Sequence, residues 1–245
     1  MRHPLREWAA GTTELLDDPR ADARTVVASL HDIARINRVF GGSAAAVRSV
    51  DQFLGEVRGE RASLLDVGTG LGDIPRAVAR HATRRGIALD LFGLDSHPAA
   101  ARAALDAGQV RAIVGDGGRL PLASRSVDFA LCAKVLHHLP GAAGDALLRE
   151  LDRVARIAVI VVDLRRSAIA VAGFWLASFP MRLEAVTRHD GMVSVMRGFT
   201  DDELRLRCAG VGVRAAVRRH PGWTLSAAWQ PEEGPLSAHL SPGLA

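Results

Sequence analysis

The chain has 245 residues, 48% of them hydrophobic and 24% charged, which permits one large soluble domain, or a domain with an extension, around a full core. The net charge of +4 comes from arginine, Lys134 being the only lysine; arginines recur without a basic block, and aromatics at 4% with no tyrosine leave little for base stacking, so no specific nucleic-acid partner is expected. Met1 to Glu14 has no apolar core of signal-peptide type, and Ala168 to Phe179 is shorter than the roughly 20 residues a bilayer needs, so no transmembrane segment is expected.

In chain order, Leu15 to Pro19 reads as a turn. Ala21 to Val39 reads as a helix with Val26, Leu30, Ile33 and Asn37 on one stripe. Gly41-Gly42-Ser43 breaks it, and a second helix carries Val47, Val50, Leu54 and Val57. These two helices, within residues 1–60, are expected to cap the edge of a cofactor site, or else to pack as scaffold. From Ala62 strands alternate with helices: Ser63–Val67, Ala88–Leu94, Val110–Val114, Val127–Cys132 and Ile157–Asp163, with helices Ile74–Arg85, Pro98–Ala107 and Ala143–Ala155 between them. Such alternation predicts a parallel sheet with helices on both faces and a ligand at the carboxyl ends of the strands. Thr200 to Glu203 is a capping box, and Val213 to Trp229 reads as a hairpin turned at His220-Pro221-Gly222. Residues 61–230 thus form an α/β domain with a Rossmann-like, seven-stranded, mostly parallel sheet and an antiparallel C-terminal hairpin. Pro231 to Ala245 reads as a loose tail. Cys132 and Cys208 form no C-x-x-C pair and read as buried free thiols in a reducing cytoplasm.

The densest signal runs from Leu64 to Pro75. An apolar run ends in Asp66, glycines follow at 68, 70 and 72, and a helix pattern begins. A dinucleotide fingerprint would put its third glycine at the position held by Asp73. A pyrophosphate would sit badly beside Asp66 and Asp73, whereas a cationic, phosphate-free ligand such as S-adenosylmethionine would not. Asp66-Val67-Gly68-Thr69-Gly70-Leu71-Gly72 resembles the first motif of the class I S-adenosylmethionine-dependent methyltransferases. Asp95, ending the second strand, suits two ribose hydroxyls. The resemblance implies that Asp116, after the third strand, takes the adenine amino group. It implies a cofactor site of Asp66, Gly68, Gly70, Gly72, Asp95, Ser96, Asp116 and Gly117.

Cys132 to Pro140 lacks the Pro-Pro-aromatic and Pro-Cys signatures of base-methylating enzymes and resembles small-molecule methyltransferases of quinone and polyketide pathways. The absence of a carboxylate or amide cluster there favours metal-independent chemistry. His138 matches the histidine base of plant phenolic O-methyltransferases; the alternative is that His137 or His138 packs under the cofactor. His189, beside Asp190, is a second candidate base or a helix cap or turn residue. Ser167 to Arg197 reads as an apolar lid interrupted at Pro180 and Gly191, with Phe174 and Trp175 as acceptor contacts; a core helix or a dimer contact is the alternative. The expected function is methylation of an oxygen on a small hydrophobic, phenolic or quinol-type acceptor in secondary metabolism. An RNA or protein methyltransferase, or a catalytically silent cofactor-binding protein, remains open, as does a homodimer.

Overall fold

The computed structural model describes residues 21–232 together with Leu5, Ala9, Thr12 and Glu14. The expected turn at 15–19 and the tail from 233 lie outside the described residues. Asp22 caps the first helix by accepting from Thr25 N at 3.0 Å, and α1 then runs Ala23–Val39. Gly41, at φ +75°, turns the chain into α2, Gly42–Asp51. The alternating section follows as β1 Arg61–Val67, α3 Asp73–Arg84, β2 Ala88–Asp95, α4 Pro98–Asp106, β3 Val110–Val114, β4 Val127–Ala133, α5 Ala142–Val154 and β5 Ala155–Leu164. After it come α6 Ala168–Ser178, α7 Ala185–Arg197, α8 Asp201–Gly210, β6 Ala216–His220 and β7 Thr224–Trp229. No helix among the described residues is long and apolar enough to cross a membrane.

The seven strands lie in the order β3-β2-β1-β4-β5-β7-β6. β1 to β5 are parallel, and β7 runs antiparallel to both β5 and β6. The period-two alternation of side chains splits the core into two layers. Leu64, Phe129 and Ile160 pack with Val50, Ile74 and Val78 on one face; Leu65, Ala130 and Val161 pack with Leu147, Leu151 and Leu204 on the other. The strand order reverses beside β1, between β2 and β4, and at that switch point the carboxyl ends leave a crevice.

The two N-terminal helices part company. α2 buries Ala45, Ala46, Ser49 and Val50 in the core layer and is scaffold. α1 crosses the carboxyl ends of the strands as a cap. The capping box is formed, with Thr200 Oγ1 accepting from Glu203 N and Glu203 Oε2 accepting from Thr200 N. Glu203 also receives the buried Arg166 guanidinium at 2.6 Å through each carboxylate oxygen, which ties the end of β5 to α8.

The 167–197 segment is two helices, as the interruption at Pro180 predicts, but Gly191 does not break it. Gly191 lies inside α7, where a Cβ would run into the ring of Phe174 on α6. The glycine is a packing contact between the two helices. Alanine there gains about 1 kcal/mol of helix propensity. Phe174 is only 5% exposed and has little room to yield, so overpacking at about 1–3 kcal/mol decides the sign. Gly191→Ala is expected to lower the thermal midpoint, and a rise would show that Phe174 can move aside.

Candidate active site

One cavity of about 390 Å³ occupies the crevice. Asp66 near the end of β1, Asp95 ending β2 with Ser96 after it, Ala133 ending β4 with Lys134 after it, and Leu164 at the end of β5 form its floor. Val26, Leu30, Ile33, Ile36 and Asn37 of α1, with Phe40 at its C-cap, form one wall. Ala170 and Phe174 of α6, with Thr187, Asp190, Gly191, Ser194 and Val195 of α7, form another. The four-residue stripe expected on the first helix faces the cavity throughout.

The glycine loop is built from left-handed backbone. Gly68, Gly70 and Gly72 have φ of +76°, +52° and +69°, a region L side chains avoid. Added Cβ atoms would collide with Val135 at Gly68 and crowd Leu30 Cδ2 at 3.1 Å at Gly70. The loop is tied down by Gly68 N donating to Leu94 O at 2.7 Å and Gly70 N to Asp95 Oδ2 at 3.0 Å. Asp95 Oδ1 accepts from His97 N at 3.0 Å, so each of its oxygens holds one backbone N–H and keeps a lone pair.

Asp66 is buried, and its Oδ1 has no hydrogen-bond partner. Burial, then the charges of Asp73 and Asp95, push its carboxyl well above the ordinary carboxylate range, and Thr69 offsets only part of this. Asp73 accepts from Asn37 Nδ2 at 3.2 Å; burial, the largest effect, raises its carboxyl also. A buried, under-satisfied acid beside a bare-backbone loop fits a ligand with cationic groups and ribose hydroxyls, which is what S-adenosylmethionine presents.

Five expected site residues stand outside the cavity lining. Gly72 is the N-cap of α3 and faces Val110. Asp116 is exposed and folds back to accept from Gly118 N at 2.8 Å, a local turn. Gly117 packs toward Val67 and Leu147, and neither residue lines the cavity; Gly115 N, just before them, donates to Asp95 O at 3.0 Å. His189 is half-exposed and bonds Asp190 at 2.9 Å, and it is Asp190 that reaches the cavity. Trp175 is 46% exposed and packs edge-on against Phe179 with centroids 5.0 Å apart, while its neighbour Phe174 lines the wall.

The paired histidines follow β4 on a 3-10 turn, Leu136–His138. His137 is buried, and its Nδ1 lies 2.7 Å from Asp163 Oδ1. Burial opposes the charge of Asp163, yet His137, the Leu164 N–H and Lys134 hold its carboxyl below the usual range. His138 lines the cavity with its Nδ1 3.6 Å from Glu14. Glu14, His137 and His138 come within 4.8 Å of one another. Glu14 is already engaged by Arg197 at 2.9 Å and Ser194 at 2.8 Å, which disfavours a metal among them. Sequence reasoning passed over Lys134, Asp163, Phe40 and Trp223. The first had one visible signal, as the chain's only lysine.

Residues 65–163, from β1 to the end of β5, match a family described as a methyltransferase domain. No curated protein matches the sequence. Among solved structures, human N-acetylserotonin methyltransferase in complex with S-adenosylmethionine aligns with a TM-score of 0.62 and 13% identity over 93% of this chain and 62% of its own. PigF with S-adenosylhomocysteine aligns with a TM-score of 0.60 and 17% identity over 93% and 65%. A methyltransferase from Haloferax volcanii, solved with the Trm112 activator, aligns with a TM-score of 0.54 and 16% identity over 82% and 96%.

Asp66 gives a test with a fixed sign. A raised folded-state pKa makes its stability contribution complete below the unfolded value of 3.8 and lost as the pH rises through the folded-state value. Asp66→Asn is therefore expected to raise the melting temperature of the ligand-free protein at neutral pH. The added melting temperature from S-adenosylmethionine should shrink, since a charge-assisted contact of about 1.5–3 kcal/mol is lost. Thermal shift with and without cofactor reads both effects.

Proposed function

The chain carries an S-adenosylmethionine-dependent methyltransferase domain, and from that premise we propose that it methylates an oxygen of a small hydrophobic acceptor of phenolic or quinol type, without a metal. The observation that supports this reading is the continuity of one cavity. Its glycine-loop end carries Asp66 and Asp95, and its other end is an aromatic corner. There the Phe40 ring lies 6.1 Å from Phe174 and 6.4 Å from Trp223, spacings at which a planar ring can join the cluster. The human structural neighbour is named for a small molecule, N-acetylserotonin.

The cofactor brings an activated methyl group, so the chain's residues have three tasks. The aromatic corner positions the acceptor within reach of the methyl group. α6 and α7 close over it and exclude water. His138, in the cavity, takes the proton from the acceptor hydroxyl as the oxygen attacks. At the cofactor end, Asp95 and Ser96 would hold the ribose hydroxyls.

Transfer of labelled methyl from S-adenosylmethionine to a panel of phenols, quinols, total RNA and protein extract tests the reading. Label is expected in the phenol or quinol arm, and label in RNA or protein alone overturns it. With an acceptor in hand, His138→Gln should slow turnover by roughly 10²–10⁴-fold with little change in cofactor affinity. Phe174→Ala should raise the acceptor KM more than it alters cofactor binding.

A further inference from the structure

Lys134 is used by none of these tasks, yet it is the chain's only lysine and it lines the cavity. It is held at φ +62°, a left-handed conformation uncommon for a side chain of its size. Its backbone N–H donates to Val162 O at 2.8 Å, which fixes the residue at the end of β4. Its Cε lies against Gly42, 3.3 Å from where a Cβ would stand. Among the described residues its Nζ reaches only Thr224 Oγ1, at 3.5 Å. Both contacts adjoin the aromatic corner, because Trp223 precedes Thr224 and Phe40 ends α1 just before Gly42.

No described carboxylate pairs with this ammonium. The nearest acid to act on it is Asp163, whose oxygens are committed to His137 N, His137 Nδ1 and Leu164 N at 3.1, 2.7 and 2.7 Å. A part-buried cation with two donors unused is costly unless a ligand supplies the counter-charge. We propose that Lys134 receives an anionic oxygen group of the acceptor, so that the preferred substrate is an aromatic ring bearing a carboxylate or a phenolate. This rests on the aromatic corner being the acceptor end. The ring packs against the cavity side of the Phe40, Phe174 and Trp223 cluster, and its charged oxygen meets the ammonium at the corner's edge.

Burial lowers the ammonium's pKa to about 8, with Asp163 opposing. The other titratable groups around the same cavity are His137 and His138 on the 3-10 turn, Asp66 on β1, Asp73 on α3, Asp95 ending β2, His97 before α4, Asp190 on α7 and Glu14. Benzoate is ionised throughout the neutral range. A preference for it that fades as the pH rises through about 8 therefore follows loss of the lysine proton in the protein without acceptor.

Calorimetry on the full chain saturated with S-adenosylhomocysteine makes the test. It compares benzoate with benzamide, and pentafluorophenol, ionised at neutral pH, with pentafluorobenzene. The charged member of at least one pair is expected to bind roughly 10- to 100-fold tighter, as a charge-assisted hydrogen bond gives. Preference within the first pair assigns a carboxylate, and within the second a phenolate. Lys134→Met, with Lys134→Gln as a second variant, should abolish the preference while the neutral probes bind as before. Equal affinity within both pairs in the unsubstituted protein overturns the proposal whatever the variants do. It is also overturned if Lys134→Met keeps the preference and weakens cofactor binding, which would give the ammonium to the cofactor. A negative result here leaves methylation of a neutral phenol standing. A failed methyl-transfer screen, in turn, leaves the charge preference measurable.

Discussion

The carboxylate of Asp163 is wholly buried at the end of β5, and the site is hung on it. One oxygen accepts the His137 backbone N–H; the other meets the His137 ring and the Leu164 N–H. These bonds clamp the turn after β4 against its neighbouring strand. That turn carries His138 and follows directly on Lys134, so two of the cavity's chemical groups owe their placement to an acid that does not itself line it. An ionised carboxylate survives there because three donors and a nearby ammonium replace its water. An imidazole bonded through Nδ1 to such a group also has its tautomer and ring plane settled, which fixes the face it turns to the adjacent His138 ring, 4.1 Å away.

The cavity divides by the kind of support behind it. The floor consists of strand ends and glycine backbone anchored by main-chain hydrogen bonds, which hold the position of Asp66 and Asp95 closely. The walls are helices joined by side-chain contacts. Glu14 is bound by Arg197 and Ser194 of α7, and Asp32 of α1 accepts from Glu184 N at 2.7 Å at the start of α7. A rigid floor suits precise positioning of backbone-contacting groups, and walls joined by side chains can adapt more readily.

Much of this was legible in the sequence wherever the controlling interactions are local or periodic. The alternating glycines announce left-handed backbone, the period-two runs give the strands, and Thr200 to Glu203 marks a helix start. The stripe on the first helix names four residues that do line the cavity. Single-residue errors arise where a helix decides between neighbours. Each step along a helix turns the side chain by about 100°, so Asp190 faces inward and His189 outward, and Phe174 faces inward and Trp175 outward. No local pattern fixes that phase; the opposing surface does. Asp116 was read through its place in the strand order, but a short-range turn with Gly118 claims one of its oxygens. Asp163 left no signal, and Lys134 none beyond being the chain's only lysine, for a different reason. One ends an apolar strand and the other begins a loop, and their roles exist only once β4 and β5 lie side by side.

The contact between Phe40 and the β6–β7 turn has a kinetic meaning. Gly222, at φ +74°, approaches the Phe40 carbonyl so closely that no other residue fits, and Trp223 beside it completes the aromatic corner. α1 comes early among the described elements and β7 is the last of them. β7 must find β5 before that corner exists, so this end of the cavity closes through a pairing of very long sequence separation, the slowest kind to form. A chain still being synthesised can assemble the glycine loop and strands β1 to β5 well before it owns the corner. The two ends of the cavity are thus acquired at different stages of the molecule's history.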